Sequence, residues 1–380
     1  MGIDWDRIER EFYQCNKCGL CLAACPVGKE LLLEKYTPRG KIQLARFSRN
    51  GNLEISERLR DIFTECLLCG ACTVTCPSGV SLTDLFVAMR EVLTSTTGLP
   101  PNMKPAVEAI GESHNISNED NSERDEWAED LEELYNEVSG KDQAEVVYFV
   151  GCVASFFPMV QYIPQNVIKI LDAAEVDFAV LGGKEWCCGF PLIGAGTPGD
   201  LTVVKEHNLD MVRSLGAKSV VFSCPSCYRT WREHYGPEFS LFHITEFIAD
   251  LLEHGRLKLG GVEETVATYH DPCDLGRHGG VYDAPRKILQ AIPGIVLKEM
   301  ENNRARSTCC GGGGNLEMTD PALSRRITKK KIEETQATGA DTLVTACQQC
   351  VRTIKGAVRR EKINLNVFDI TETVARALQV

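Results

Sequence analysis

Apolar positions follow two different periods along the chain, and the period changes near residue 144. Before that point they recur at helical spacing. "ISERLRDIFTECLLCG" carries one apolar face, and "SLTDLFVAMREVL" opens with a Ser/Thr cap signal at Ser81. "KYTPRGKIQLARF" predicts a turn and a helix, and "GLPPNMKP" breaks the pattern near Gly98. Beyond residue 144, short β-rich runs ("VVYFVG", "SVVFSC", "DTLVTAC") alternate with helical stretches ("PQNVIKILDAA", "KEHNLDMVRSLGA"). That alternation predicts βαβ units around short parallel sheets.

The second half repeats itself. "EVVYFVGC" pairs with "TVATYHDPC", "EWCCGFP" with "STCCGGG", "LGAKSVVFSCPSC" with "TGADTLVTACQQC", and "FHITEFIADLL" with "FDITETVARAL". The matching cysteines keep step, at offsets of 121 (Cys152 to Cys273), 122 (Cys187 to Cys309) and 123 residues (Cys224 to Cys347). The expected organisation is a helical domain at 1–97, an acidic linker at 98–143, a first repeat at 144–260 and a second at 261–380. Ligands of parallel α/β sheets gather beyond the carboxyl ends of the strands. Cys152, Cys224, Cys273 and Cys347 each follow such a strand, so the cysteines of each half are expected to converge.

Composition narrows the function classes. The net charge of −12 is concentrated between Gly111 and Glu145, where 13 Asp/Glu face two Lys/Arg. No dominant basic surface remains to neutralise phosphates, which argues against nucleic acid as a partner. The acidic stretch reads as a linker with one solvated amphipathic helix (Trp127, Leu131, Leu134, Val138), or as a docking surface for a basic partner. No apolar run reaches the roughly 18 residues of a membrane span. "MGIDWDRIEREF" lacks an apolar signal core. The expectation is a cytoplasmic protein that meets a membrane only through a partner. In a reducing compartment, 18 cysteines point to metal ligands or redox groups rather than disulfides.

Eight of them form two runs of C-x2-C-x2-C-x3-C-P. These are Cys15, Cys18, Cys21 and Cys25 before Pro26, and Cys66, Cys69, Cys72 and Cys76 before Pro77. This is the two-cluster ferredoxin run, in which the fourth Cys of each run serves the other cluster. One cubane [4Fe–4S] cluster is expected on Cys15, Cys18, Cys21 and Cys76, and a second on Cys66, Cys69, Cys72 and Cys25. Two structural zinc sites are the alternative, and the doubled run with its terminal Pro fits them poorly.

The other ten form two sets of five, each with an adjacent pair: Cys152, Cys187, Cys188, Cys224, Cys227 and Cys273, Cys309, Cys310, Cys347, Cys350. A vicinal disulfide would leave three cysteines in step with each pair unexplained. Adjacent thiolates repel unless cations lie between them, so metal bridging is the better account. The Gly after each pair is expected to let the backbone bend close to the cluster. Five thiolates exceed the four that an ordinary cube takes.

The spacing C-x34-CCG-x34-C-x2-C, given twice with a one-residue drift, resembles the CCG domain of heterodisulfide reductases. With the ferredoxin module in front, the chain resembles their D type, in which the two-cluster and catalytic parts are joined. It is also similar to iron–sulfur subunits of glycolate, lactate and anaerobic glycerol-3-phosphate oxidising complexes. The resemblance covers all but the acidic stretch. It implies a helical two-cluster ferredoxin-like domain followed by a duplicated α/β CCG pair, with one noncubane [4Fe–4S] cluster on each five-cysteine set. It also implies cleavage of the coenzyme M–coenzyme B disulfide between those two clusters, with Cys187, Cys188, Cys309 and Cys310 at the reacting centre.

Further residues carry lesser signals. His270 and His278 flank Cys273, and His270 is the candidate to protonate a departing thiolate, against the plainer role of bonding its own loop. Arg229 and Arg277 suit an anionic substrate group, or a surface ion pair. "SRRITKKKIEE" reads as the solvated face of a helix, and "CGGGGN" lacks the frame of a phosphate loop. No flavin or nucleotide motif appears, so hydride chemistry is expected in another subunit; the expected partner is a flavin-containing or cytochrome b subunit of a redox complex. Two functions fit: a reductase acting on a small-molecule disulfide, or an electron-transfer subunit of a flavin-dependent complex.

Overall fold

A computed structural model describes residues 5–379. The N-terminal region is helical, with helices Asp6–Gln14, Leu20–Ala24, Pro26–Leu31, Pro38–Arg49, Glu57–Thr64, Ala71–Thr75 and Leu82–Thr97. Helices this short are marginal alone and depend on packing. Their apolar faces meet in one core that includes Ile8, Phe12, Ile42, Phe63, Phe86 and Met89. Thr37 and Ser56 cap two of them, accepting the N–H of Gly40 at 3.1 Å and of Leu59 at 3.4 Å. Ser81, expected as a cap, is not one. Its own N–H donates to the Glu11 carboxylate at 2.7 Å, and no side chain caps the helix it precedes.

The remainder forms two sheets, each of four parallel strands. The first contains β1 (Val146–Phe149), β2 (Phe178–Val180), β3 (Ser219–Phe222) and β4 (Ser240–His243). The second contains β5 (Thr265–His270), β6 (Ile295–Leu297), β7 (Thr342–Thr345) and β8 (Asn366–Asp369). The orders are β2-β1-β3-β4 and β6-β5-β7-β8. The strand order therefore reverses between β1 and β3, and between β5 and β7, and such a switch point opens a crevice at the carboxyl ends. The cysteines that follow β1, β3, β5 and β7 sit at these two crevices.

The repeats pack by a pseudo-twofold exchange. Helix Tyr162–Ala173 of the first lies against Ile370–Arg376 of the second, and Asp283–Ala291 of the second lies against Ile244–Glu253 of the first. Gln348 crosses the junction, donating to Val150 O at 2.8 Å and Ser223 Oγ at 2.9 Å. Arg90 ties all three units together. From helix Leu82–Thr97 its guanidinium donates to the carbonyls of Phe63, Thr64 and Cys66, to Gly194 of the first repeat at 2.7 Å, and to Gly314 of the second at 2.9 Å.

The ends of β4 and β8 carry matching caps, His243 and Asp369. Burial pushes the Asp369 carboxyl up from 3.8 to about 7. The folded state thus holds that proton more firmly than the unfolded chain. Its contribution to stability is full below about pH 4 and is lost as pH rises toward 7. Asp369→Asn keeps an acceptor for Thr371 without the charge. Its stability advantage over the parent is expected to grow by on the order of 2–4 kcal/mol from about pH 4 to pH 8. Urea unfolding at the two pH values checks this, and a constant difference would refute it.

Candidate functional site

Four groups of cysteines converge. Cys15, Cys18, Cys21 and Cys76 line one small cavity, and Cys25, Cys66, Cys69 and Cys72 line another. In each run the chain reverses through left-handed residues, Lys17 and Gly19 in the first, Leu68 and Gly70 in the second, so that three thiols turn inward. The fourth Cys starts the next element and crosses to the other cavity. Cys25 Sγ accepts the N–H of Gly28 at 3.3 Å, ahead of Pro26 in the first turn. Burial pushes the thiols of Cys21 and Cys25 up to about 11 and about 12. Such thiols ionise only against a nearby cation, which a cluster supplies.

The two five-cysteine sets repeat one chain of contacts. In the first repeat Cys152 meets Cys187, Cys187 meets Cys188, Cys188 meets Cys227, and Cys227 meets Cys224. In the second Cys273 meets Cys309, Cys309 meets Cys310, Cys310 meets Cys350 at 3.2 Å, and Cys350 meets Cys347. Nine of the ten are buried and Cys273 is half-buried. Soft thiolates packed this closely suit a multi-iron cluster. Gly189 and Gly311, which follow the pairs, have φ of +85° and +98°. A Cβ at Gly189 would meet Leu201 at 2.1 Å, and one at Gly311 would meet the carbonyl of Ser324 at 2.7 Å. Backbone handedness and the following helix therefore already require glycine there, apart from any approach to a cluster.

The two sites face different surroundings. The first opens onto a cavity of about 380 Å³. All five of its cysteines line that cavity, with Phe157 and Phe190 beside them. The opposite wall comes from the second repeat: Gly312, Gly313, Asn315, Glu317, Gln349 and Arg352. Arg352 and Glu317 form an ion pair there, and Gln349 donates to Glu317 at 2.7 Å. The second site instead adjoins the helical domain, where the Cys69 thiol lies beside Cys309. Arg277 donates to the carbonyl of Cys69 at 2.6 Å and to that of Ser307. His278 packs on Gly70 and bonds Leu68 O at 3.1 Å.

Several expectations change accordingly. Arg277 is held among carbonyls at a domain junction, with only its buried Nη2 unpartnered, and Arg229 is paired with Asp274 at 3.0 Å and Glu233 at 2.9 Å; neither lines the cavity. His270 ends β5 with both ring nitrogens buried and unpartnered, within 4.8 Å of the Cys310 and Cys350 sulfurs. It sits beside the second five-cysteine set and does not line the cavity. Lys331 of "SRRITKKKIEE" is fully buried and bonds Glu334 at 2.8 Å, so that helix face is not wholly solvated. The acidic stretch is not a solvated linker. It places Arg124, Trp127 and Asn115 inside, accepts the Cys187 N–H on the His114 carbonyl at 2.7 Å, and stacks His114 on Trp186. Glu185 also escaped the sequence pattern. Its carboxylate accepts the N–H groups of Val150 and Gly151 at 2.7 and 2.8 Å, fixing the loop that carries Cys152. An acid two residues before the cysteine pair was its one visible signal.

Residues 11–80 match the family model of a 4Fe-4S dicluster domain, and residues 146–232 and 267–355 each match that of the CCG cysteine-rich domain. The D-type subunit of the dihydromethanophenazine:CoB–CoM heterodisulfide reductase of Methanosarcina mazei is 33% identical over 97% of this chain and 94% of its own. The probable iron–sulfur-binding oxidoreductase FadF of Bacillus subtilis is 27% identical over 97% of this chain and 60% of its own. The EtfAB:quinone oxidoreductase of Syntrophomonas wolfei is 28% identical over 83% and 46%. A crystal structure of a hypothetical protein from Helicobacter pylori shares the fold, with a TM-score of 0.59 at 11% identity over 90% of this chain and 66% of that one. Among the described residues, no helix is long and apolar enough to cross a membrane.

Proposed function

The chain belongs to the family of CCG-domain iron–sulfur oxidoreductases that includes the D-type heterodisulfide reductases, and from that membership we propose that it reduces a small-molecule disulfide to two thiols. Cys15, Cys18, Cys21 and Cys76 would hold one cubane cluster, Cys25, Cys66, Cys69 and Cys72 another, and each five-cysteine set a noncubane cluster. When bound, these groups supply the two electrons that the reaction needs. A disulfide takes up two electrons and two protons and leaves as two thiols.

The observation that carries this reading is the cavity between the repeats. It is large enough for an extended small molecule and is walled on one side by all five cysteines of the first set. Glu317, Gln349 and Arg352 give the facing wall polar groups that orient a charged or hydrogen-bonding substrate. The phenyl rings of Phe157 and Phe190 exclude water from the thiol side. The nearness of Cys69 to Cys309 supports an order of sites that runs helical domain, second repeat, first repeat, cavity. Six of the eight large apolar side chains exposed among the described residues, Leu32 at 83% foremost, lie between Tyr13 and Val74. That surface suits a partner delivering electrons at the Cys18 end, a flavin-containing or cytochrome b subunit.

A second reading is that the chain only relays electrons between partners, as a subunit beside a flavoprotein. Its support is the similarity to FadF and the EtfAB:quinone oxidoreductase. The experiment is disulfide-dependent oxidation of a reduced viologen dye by anaerobically purified protein holding about sixteen irons, four for each of four clusters. Turnover with the coenzyme M–coenzyme B disulfide, abolished in Cys187→Ser, is expected. Absence of turnover with any disulfide at full iron loading would favour the relay.

A further inference from the structure

The acidic stretch delivers one cation into the first CCG site. Arg124 is 1% exposed although it lies in the most acidic part of the sequence. Its Nη2 approaches Cys152 Sγ at 3.6 Å and donates to Glu185 Oε1 at 2.5 Å, and Nε donates to the same oxygen at 3.2 Å. Phe156 covers the guanidinium, with the ring centroid 5.4 Å away. Nη1 is buried and has no hydrogen-bond partner. A buried, unpartnered N–H of a charged group costs free energy, and native structures seldom leave one so. Glu185 is already committed to three donors on one oxygen (Gly151 N–H and two from Arg124) and to the Val150 N–H on the other.

The second site is built differently. The position equivalent to Glu185 is Ser307, whose hydroxyl donates to the Asp271 carbonyl at 3.2 Å. The position equivalent to Phe149 is His270, beside Cys310. Its nearby cations come from within the second repeat: Arg277 donates to the carbonyls of Cys69 and Ser307 and keeps its own Nη2 buried and unpartnered, and Lys331 bonds Glu334.

We propose that Arg124 is a positioning residue for the metal group on Cys152, Cys187, Cys188, Cys224 and Cys227, donating hydrogen bonds to its sulfur atoms and raising its reduction potential. The assignment rests on the reading that these five cysteines hold an iron–sulfur cluster. Reduction adds one negative charge to the cluster and breaks no bond. A guanidinium and N–H···S bonds stabilise that added charge, and hydrogen bonds to sulfur and local charge are established determinants of cluster potential. The site beside the cavity thereby holds an arriving electron more firmly than it would without Arg124. The stretch between the helical domain and the first repeat acts as a strap that tunes one metal site.

The test is a redox titration of the anaerobically purified full chain, followed by electron paramagnetic resonance. Arg124→Met, Arg124→Gln and Arg124→Lys are compared with the parent, with iron and sulfide counted in each. Arg124→Met is expected to keep its iron and to show one midpoint potential shifted downward while the others stay in place. Arg124→Lys is expected to recover most of the shift, and Arg124→Gln to lie between. Unmoved potentials at full iron loading would overturn the assignment. So would loss of iron in all three variants, which would reduce Arg124 to a structural tie. The paired substitution Cys187→Ala and Cys188→Ala keeps the two failures apart. If this variant, which leaves too few thiolates for a four-iron cluster, retains the parent's full iron count, the five cysteines hold no cluster, and the underlying reading fails instead.

Discussion

Replacing Arg90 by Met is expected to destabilise the protein by about 3–5 kcal/mol, because it leaves buried carbonyls without donors. Five carbonyls converge on this guanidinium from three units of the fold, and the side chain is 1% exposed. Each buried acceptor left bare costs about 1–3 kcal/mol, and relaxation recovers part of the total. Met fills similar volume, so the loss reports the hydrogen bonds rather than a cavity. A loss of this size lowers the melting temperature by roughly 4–6 °C in a chain of this length. Lys reaches fewer carbonyls at once and is expected to fall between the two. A melting temperature within about 1 °C of the parent would show that the three units are held together by other contacts.

The second large effect concerns cross-ligation. Cys25→Ser is expected to empty the cluster of the other run. Cys25 shares its cavity with Cys66, Cys69 and Cys72, whereas Cys15, Cys18 and Cys21 share theirs with Cys76. Iron is expected to fall from about sixteen to about twelve per chain, with the Cys15 site intact. That missing cluster is the one beside Cys309, so dye-driven electron flow from the helical domain to the cavity is expected to drop by at least a hundredfold. Cys76→Ser is expected to remove the same amount of iron while sparing the cluster next to Cys309. Loss of the Cys15 cluster in Cys25→Ser would establish that each run serves its own cluster.

Much of this molecule was legible because its chemistry is encoded in local spacing. The two runs of four cysteines, the duplicated five-cysteine frame and the β-rich runs before Cys152, Cys224, Cys273 and Cys347 all act within a few residues of one another. The fold then carries them to the switch points of two parallel sheets. What stayed hidden depends on contacts between distant segments. Both repeats pack on the helical domain, but the five-cysteine set that meets its cysteines is the second, because Arg277 and His278 seat on Cys69, Leu68 and Gly70. Charge density made residues 98–143 look like a solvated linker, yet its exposed acids and its buried Arg124, Trp127 and Asn115 share one segment. Ser81 matched a capping pattern, but packing of Leu85, Met89 and Leu93 holds that helix without it.

The exchange of an early helix and the last helix between the repeats has the form of an isologous contact, the kind two identical subunits make. A symmetric pair of that kind has no input side and no output side: both crevices would face identical neighbours. Joining the halves in one chain removes that constraint. One crevice adjoins Cys69 and carries His270, while the other carries Arg124 with Glu185 and opens on the cavity. Direction, which a homodimer of single repeats lacks, is available to the fused chain.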